Sequence, residues 1–105
     1  MRPMANELDR LQIWYVSQCD GDWEHSYGVS IENIDNPGWK VTVQLTDTGL
    51  QDVQFQALSI ERSAMDWIHC AVTDMNFQGR GGPHNLVEIL GVFLDWAERY
   101  QTNRT

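Results

Sequence analysis

Between Trp39 and Thr46 the side chains alternate without a break. Trp39, Val41, Val43 and Leu45 are apolar, while Lys40, Thr42, Gln44 and Thr46 are polar. This period of two constrains the fold more than any other stretch, because it describes a strand with one buried and one wetted face. The DNPG stretch at 35–38 just before it is a turn signal: Pro37 fixes φ and Gly38 tolerates φ above zero. Upstream, Tyr27, Val29 and Ile31 alternate with Gly28, Ser30 and Glu32. The short connection predicts that these two strands pair antiparallel.

A one-sided sheet needs cover on its apolar face, and both ends of the chain supply it. Leu86, Leu90, Phe93, Ala97 and Tyr100 recur at helical spacing, flanked by Ile89, Leu94 and Trp96. Pro83 suits a first turn, and Gly82 or His84 lies near the cap. From Asn6 to about Ser17, Leu8, Leu11 and Tyr15 mark a second helical face, widened by Ile13, Trp14 and Val16. Asn6 is the expected N-cap, with Glu7 and Asp9 in the first turn, and the polar QCDGD run ends the helix. After the TDTG turn at 46–49, a third strand is expected over Val53–Ile60. Val53 and Phe55 share one face there, and a shift at Ala57 calls for a bulge. Asp66–Met75 reads as a fourth strand. The expected order is αββββα: an α+β two-layer domain with a four-stranded antiparallel meander covered by an N-terminal and a C-terminal helix. With neither repeat nor linker, residues 1–105 form one expected domain, its core running from about 5 to 101.

Charge and composition narrow the function classes. Fifteen acids face seven Lys and Arg, for a net charge of -8. Such a field repels nucleic acid and anionic membranes and draws in basic partners. No apolar run is long enough to span a membrane, and the opening MRPMANELDR lacks the apolar core of a signal peptide, so a cytoplasmic location is expected. Two cysteines make no disulfide framework, and Cys70, in an apolar run, is expected in the core. Five tryptophans are many for this length and suit either a core or a binding surface.

The densest chemistry lies in DGDWEHSYG at 20–28. Asp20, Asp22 and Glu24 alternate like an opening EF-hand loop, but the sixth and twelfth positions, which need Gly and Glu, hold His25 and Ile31. No HxxxH or CxxC supports another metal. His25 with Asp22 or Glu24 could perform acid–base chemistry, with His69 or His84 as a further partner. A small metal-dependent or acid–base hydrolase is therefore the alternative reading, although no nucleophile motif stands nearby. The bland reading has Trp23 packing at the core edge while the acids and the histidine hold the loop by hydrogen bonds. GRGGPHN at 79–85 is neither a phosphate-binding loop nor a dinucleotide fingerprint. It reads as a flexible turn feeding a helix cap, with Arg80 free to meet an acidic group. His69 is expected as a hydrogen-bonded wall residue, and Glu88, Asp95 and Glu98 as a solvated helix face.

Taken together, GDWEHSYG, the NPGW turn-strand ending at Trp39, and FQGRGGPHNL before the last helix resemble the immunity protein 53 family of bacterial polymorphic toxin systems. The resemblance runs from about Leu11 to Tyr100. It implies a protein encoded beside a toxin gene that neutralises the toxin, and not an enzyme; it brings no catalytic residue, metal or cofactor. The expected partner is a cognate toxin, basic in character, with no nucleic acid or membrane involved and the chain either monomeric or homodimeric. Occlusion of the toxin's active site would use an acidic and aromatic surface, for which the candidates are Asp20, Asp22, Trp23, Glu24, His25, Tyr27, Asp35, Trp39 and Arg80.

Overall fold

The computed structural model describes residues 6–101. Residues 1–5 and 102–105 of the expected domain lie outside the described residues. In chain order the elements are α1 (Glu7–Gln18), α2 (Trp23–Ser26), β1 (Val29–Ile34), β2 (Gly38–Gln44), β3 (Leu58–Ser63), β4 (Asp66–Thr73), β5 (Asn76–Gly81) and α3 (Leu86–Gln101). The strands form one antiparallel sheet in the order β1-β2-β5-β4-β3.

The α+β class and the two flanking helices are as expected, but the sheet has five strands and is not a simple meander. The expected hairpin forms from β1 and β2. The chain then runs through residues 45–57, enters the sheet at its far edge as β3, and returns through two hairpins until β5 closes against β2. The extra strand, residues 76–81, takes in Gly79, Arg80 and Gly81 from the stretch that reads as a flexible turn, while residues 82–85 do form the turn that feeds α3. Phe77, Gly79 and Gly81 point to the covered side and are buried. A Cβ on Gly79 would collide with Cγ2 of Ile89, and one on Gly81 would stand 2.9 Å from Cδ1 of the same residue. Glycine lets α3 settle onto β5, and it also removes the apolar alternation by which a strand is recognised.

The expected third strand begins too early. Val53 and Phe55 alternate with exposed Gln54 and Gln56, yet residues 53–57 pair with no strand. This segment plugs the core instead. The Phe55 ring lies 5.5 Å from Phe77 and 5.0 Å from Trp96, centroid to centroid, and the Trp96 indole N–H donates to the Gln54 carbonyl at 3.1 Å. The expected fourth strand ends at Thr73, where the turn to β5 begins; β3 carries a register shift between Glu61 and Ser63, not at Ala57.

Helix α3 lies over β2, β5 and β4, and α1 packs beside it. Asn6 caps α1 as expected, in a reciprocal pair with Asp9. The buried face of α1 is narrower than expected: Leu11 and Trp14 are inside, while Leu8, Ile13, Tyr15 and Val16 are exposed. Pro83 precedes α3 and does not form its first turn. The helix opens at Asn85, whose carbonyl accepts from Ile89. Asn85 is buried and fully engaged. Its Oδ1 accepts from the Trp67 amide, and its Nδ2 donates to Asp66 and Glu88. The acids of α3 do more than meet water. Asp95 and Glu98 hold Arg10 at 2.8 Å, and Glu88 holds Arg62. The result is a slab of 42 × 41 × 24 Å with both long helices on one face of the sheet and the other face bare. Among the described residues no helix is long and apolar enough to cross a membrane.

Candidate functional site

The sheet separates the sequence-derived candidates into two groups. Asp20, Asp22, Trp23, Glu24, His25 and Tyr27 gather at the end where β1 begins. The Gly28 carbonyl accepts from Gln44 at the finish of β2, and the Leu45 amide donates to the Met75 carbonyl. Asp35, Trp39 and Arg80 belong toward the opposite end, where the β1–β2 turn and the close of β5 meet. The two groups do not form one patch.

Most of DGDWEHSYG is fold. Trp23 is 3 % exposed, set edge-on to Trp14, and its indole N–H donates to the Thr46 carbonyl at 2.9 Å. The Asp20 carboxylate accepts the amides of Asp22 and Trp23, both at 2.9 Å, and the Glu24 carboxylate accepts those of Asp20 and Gly21. The two acids thus fold the backbone around themselves. Hydrogen bonds from the Trp23 and Asp22 amides hold Asp20 below the usual carboxylate range. Glu24 is likewise lowered, by its own backbone amide first and then by those of Asp20 and Gly21. Tyr27 is half-buried against Trp23. His25 is exposed and borders a shallow depression of about 380 Å³ with Ser30, Thr42, Gln44 and Asn76.

In the second group, Trp39 faces the covered side and donates its indole N–H to the Pro83 carbonyl at 3.0 Å, fixing the turn that launches α3. Asp35 is exposed in the β1–β2 turn. Arg80 is exposed on the bare face, in β5 rather than at the tip of a loop.

Two features escape a motif-by-motif reading. One is an acidic end. Asp47 follows β2, Asp52 lies in the crossing segment, and Asp74 sits in the β4–β5 turn. With Asp22 they are exposed, and among the described residues their carboxylates take no hydrogen bond or ion pair. No Lys or Arg occurs in residues 18–28, 44–57 or 73–76. The other is the bare face itself, where Lys40, Arg80 and His69 stand on adjacent strands. The parity of the alternation in residues 39–46 puts Lys40 there. Arg80 and His69 needed the fifth strand to be recognised.

The acid–base reading required His25, Asp22 and Glu24 to converge, with His69 or His84. Glu24 is occupied by backbone amides, His69 bonds Glu61 at 2.9 Å across the β4–β3 pair at the edge of the sheet, and His84 lies beyond the far end of β5. Among the described residues no three His, Cys, Asp or Glu side chains stand together to hold a metal.

Comparison with known proteins gives one finding. A family model described as "Immunity protein 53" matches residues 8–98. No curated protein and no solved structure matches the chain.

Proposed function

The chain belongs to the immunity protein 53 family, and on that premise we propose that it acts in the cytoplasm as a stoichiometric inhibitor, binding a cognate toxin and covering its active site with the acidic end of the sheet. The family match over residues 8–98 carries this reading. The acidic end gives it a physical form. A toxin that works on nucleic acid needs a basic cleft for phosphates, and carboxylates presented on a rigid frame can occupy such a cleft in their place. Asp22, Asp47, Asp52 and Asp74 are suited to this because the fold leaves them unspent. Asp20 and Glu24 are poorer candidates for direct contact, since backbone amides already hold them. Trp23 supports this surface from inside, while Trp39, at the opposite end, fixes the turn before α3.

Co-expression with the toxin encoded beside this chain's gene tests the reading. Growth rescue together with a one-to-one complex on co-purification is expected, and loss of both would sink it. Within that experiment, Asp22→Lys combined with Asp74→Lys should slow association at low salt, with little change at high salt. Unchanged kinetics at low salt would take the acidic end out of the interface.

A further inference from the structure

The bare face carries cations that the fold does not use. Glu32, Lys40, Arg80, His69 and Ser59 occupy one register line across all five strands. Lys40 and Arg80 stand directly opposite each other on the inner strands β2 and β5. Like charges so placed weaken a strand pair. Among the described residues neither side chain forms a hydrogen bond or an ion pair, although Glu32 is Lys40's register neighbour on the other side. Other cations of this acid-rich chain are treated differently. Arg10 engages Glu7, Asp95 and Glu98, and Arg62 engages Asp66 and Glu88. Next to Arg80, the His69 ring is held by Glu61 at 2.9 Å and by the Trp67 ring 5.0 Å away. Beside the row lies a depression of about 480 Å³ bordered by Ser59, His69, Ala71, Thr73, Gln78 and Arg80.

We propose that the Lys40–Arg80–His69 row on the bare face of the sheet seats an acidic segment of the toxin, with an Asp or Glu side chain of that segment entering the depression beside Arg80. The proposal rests on the toxin-binding reading and names a second contact for it. Charge complementarity selects the occupant. The planar guanidinium of Arg80 offers a fork for one carboxylate, and Lys40 adds a second positive charge one strand away. A polyanion fits less well. Glu32 and Glu61 flank the row, and the acidic end lies beyond it, so a continuous phosphate chain would be repelled where a single carboxylate is not. Gln44 lies four steps of strand beyond Lys40, about 13 Å at the usual rise, so one partner can cover both the cation row and the acidic end. Contacts of opposite sign at two places would also fix the orientation in which the toxin docks.

The test measures binding of the purified toxin to this chain and to Arg80→Glu, Arg80→Gln and Lys40→Glu variants, with circular dichroism and thermal unfolding as checks on folding. Arg80→Glu should weaken binding about 30-fold or more, mainly through faster dissociation, and Lys40→Glu by about 10-fold. The Arg80→Gln variant keeps a neutral polar side chain on the strand, so a loss of binding there without a loss of folding supports the charge argument. Reversing the matching acidic residue on the toxin to Lys should restore binding to Arg80→Glu. If the wild-type chain binds tightly and all three variants bind within about twofold of it, the bare face is not the seat while the immunity reading stands. If the wild-type chain does not bind the toxin at all, that reading fails and takes this proposal with it.

Discussion

The indole N–H of Trp23 donates to the carbonyl oxygen of Thr46 at 2.9 Å, joining the four-residue helix α2 to the segment that leaves β2. The same ring packs against Trp14, Tyr15 and Tyr27 and is almost wholly buried. Trp23→Ala should therefore cost about 3–5 kcal/mol, as for a large aromatic removed from a core. Trp23→Phe keeps most of the packing but leaves the Thr46 carbonyl without its donor, so a smaller loss of about 1–3 kcal/mol is expected. Urea unfolding of the two variants measures both. A Trp23→Phe loss near zero would mean that the hydrogen bond contributes nothing.

Asp20 and Glu24 give the loop a pH dependence of defined sign. Both folded-state pKa values lie below the ordinary carboxylate range because backbone amides donate to the charged form. Their contribution is present above the unfolded-state pKa, near pH 4, and is lost as pH falls through the folded values. Asp20→Asn with Glu24→Gln should flatten that part of the stability profile below about pH 4 while lowering stability at pH 7. Thermal melts from pH 7 to pH 2.5 follow the effect. A profile parallel to that of the wild type would assign the acid sensitivity to other carboxylates.

Gly79 and Ile89 are in contact across the layers, with no room for a methyl group between them. Gly79→Ala should cost about 1–3 kcal/mol through overpacking. Ile89→Ala alone leaves a cavity and should cost about 2–5 kcal/mol. Combined, the two should cost less than their sum, since the new methyl occupies space that the isoleucine vacates. A double-mutant cycle by denaturant unfolding reads the coupling, and strict additivity would contradict the contact.

The β4–β5 turn places Asp74 at φ 53 and Met75 at φ 64, both in the left-handed region. Two successive positive φ values are the mark of the tight hairpin turn that favours Gly at its second position. Met75→Gly should raise stability by about 1 kcal/mol, provided that its exposed side chain contributes little packing. A rise in the urea midpoint with an unchanged slope is the expected result.

The two thiols should behave differently. Burial pushes Cys70 up to about 12, so it stays protonated and shielded in the native protein at pH 8. Cys19 is partly exposed at the end of α1. A thiol-reactive dye should label one cysteine in the native state and two in denaturant. Rapid native labelling of both would place Cys70 outside the core.

The parts of the fold legible in the sequence are those where one periodicity speaks without interruption. The β1–β2 pair, α3, and the Asn6 cap of α1 follow from local pattern and cap chemistry, and the structure carries all three. The fifth strand was hidden because its inward positions include Gly79 and Gly81, which satisfy α3 by their smallness and leave no apolar signal. Val53 and Phe55 misled in the opposite sense, since alternation along an extended, core-plugging segment looks the same as alternation along a strand. Strand order was out of reach, because the pairing of β5 with β2 depends on a crossing that no local pattern records. The candidate surface suffered most. A motif groups residues adjacent in sequence, whereas the sheet groups Lys40, His69 and Arg80, which come from three separate strands.

A sheet covered on one side only divides its strands into two independent alphabets. Along β2, Val41 and Val43 answer to α3, while Lys40 and Thr42 answer to whatever lies outside. Along β5, Phe77 and Gly79 are bound to the interior, while Gln78 and Arg80 are not. Substitutions at the second set leave the packing of the first intact. A protein built this way can change the partner it recognises, residue by residue, without having to solve its folding problem again.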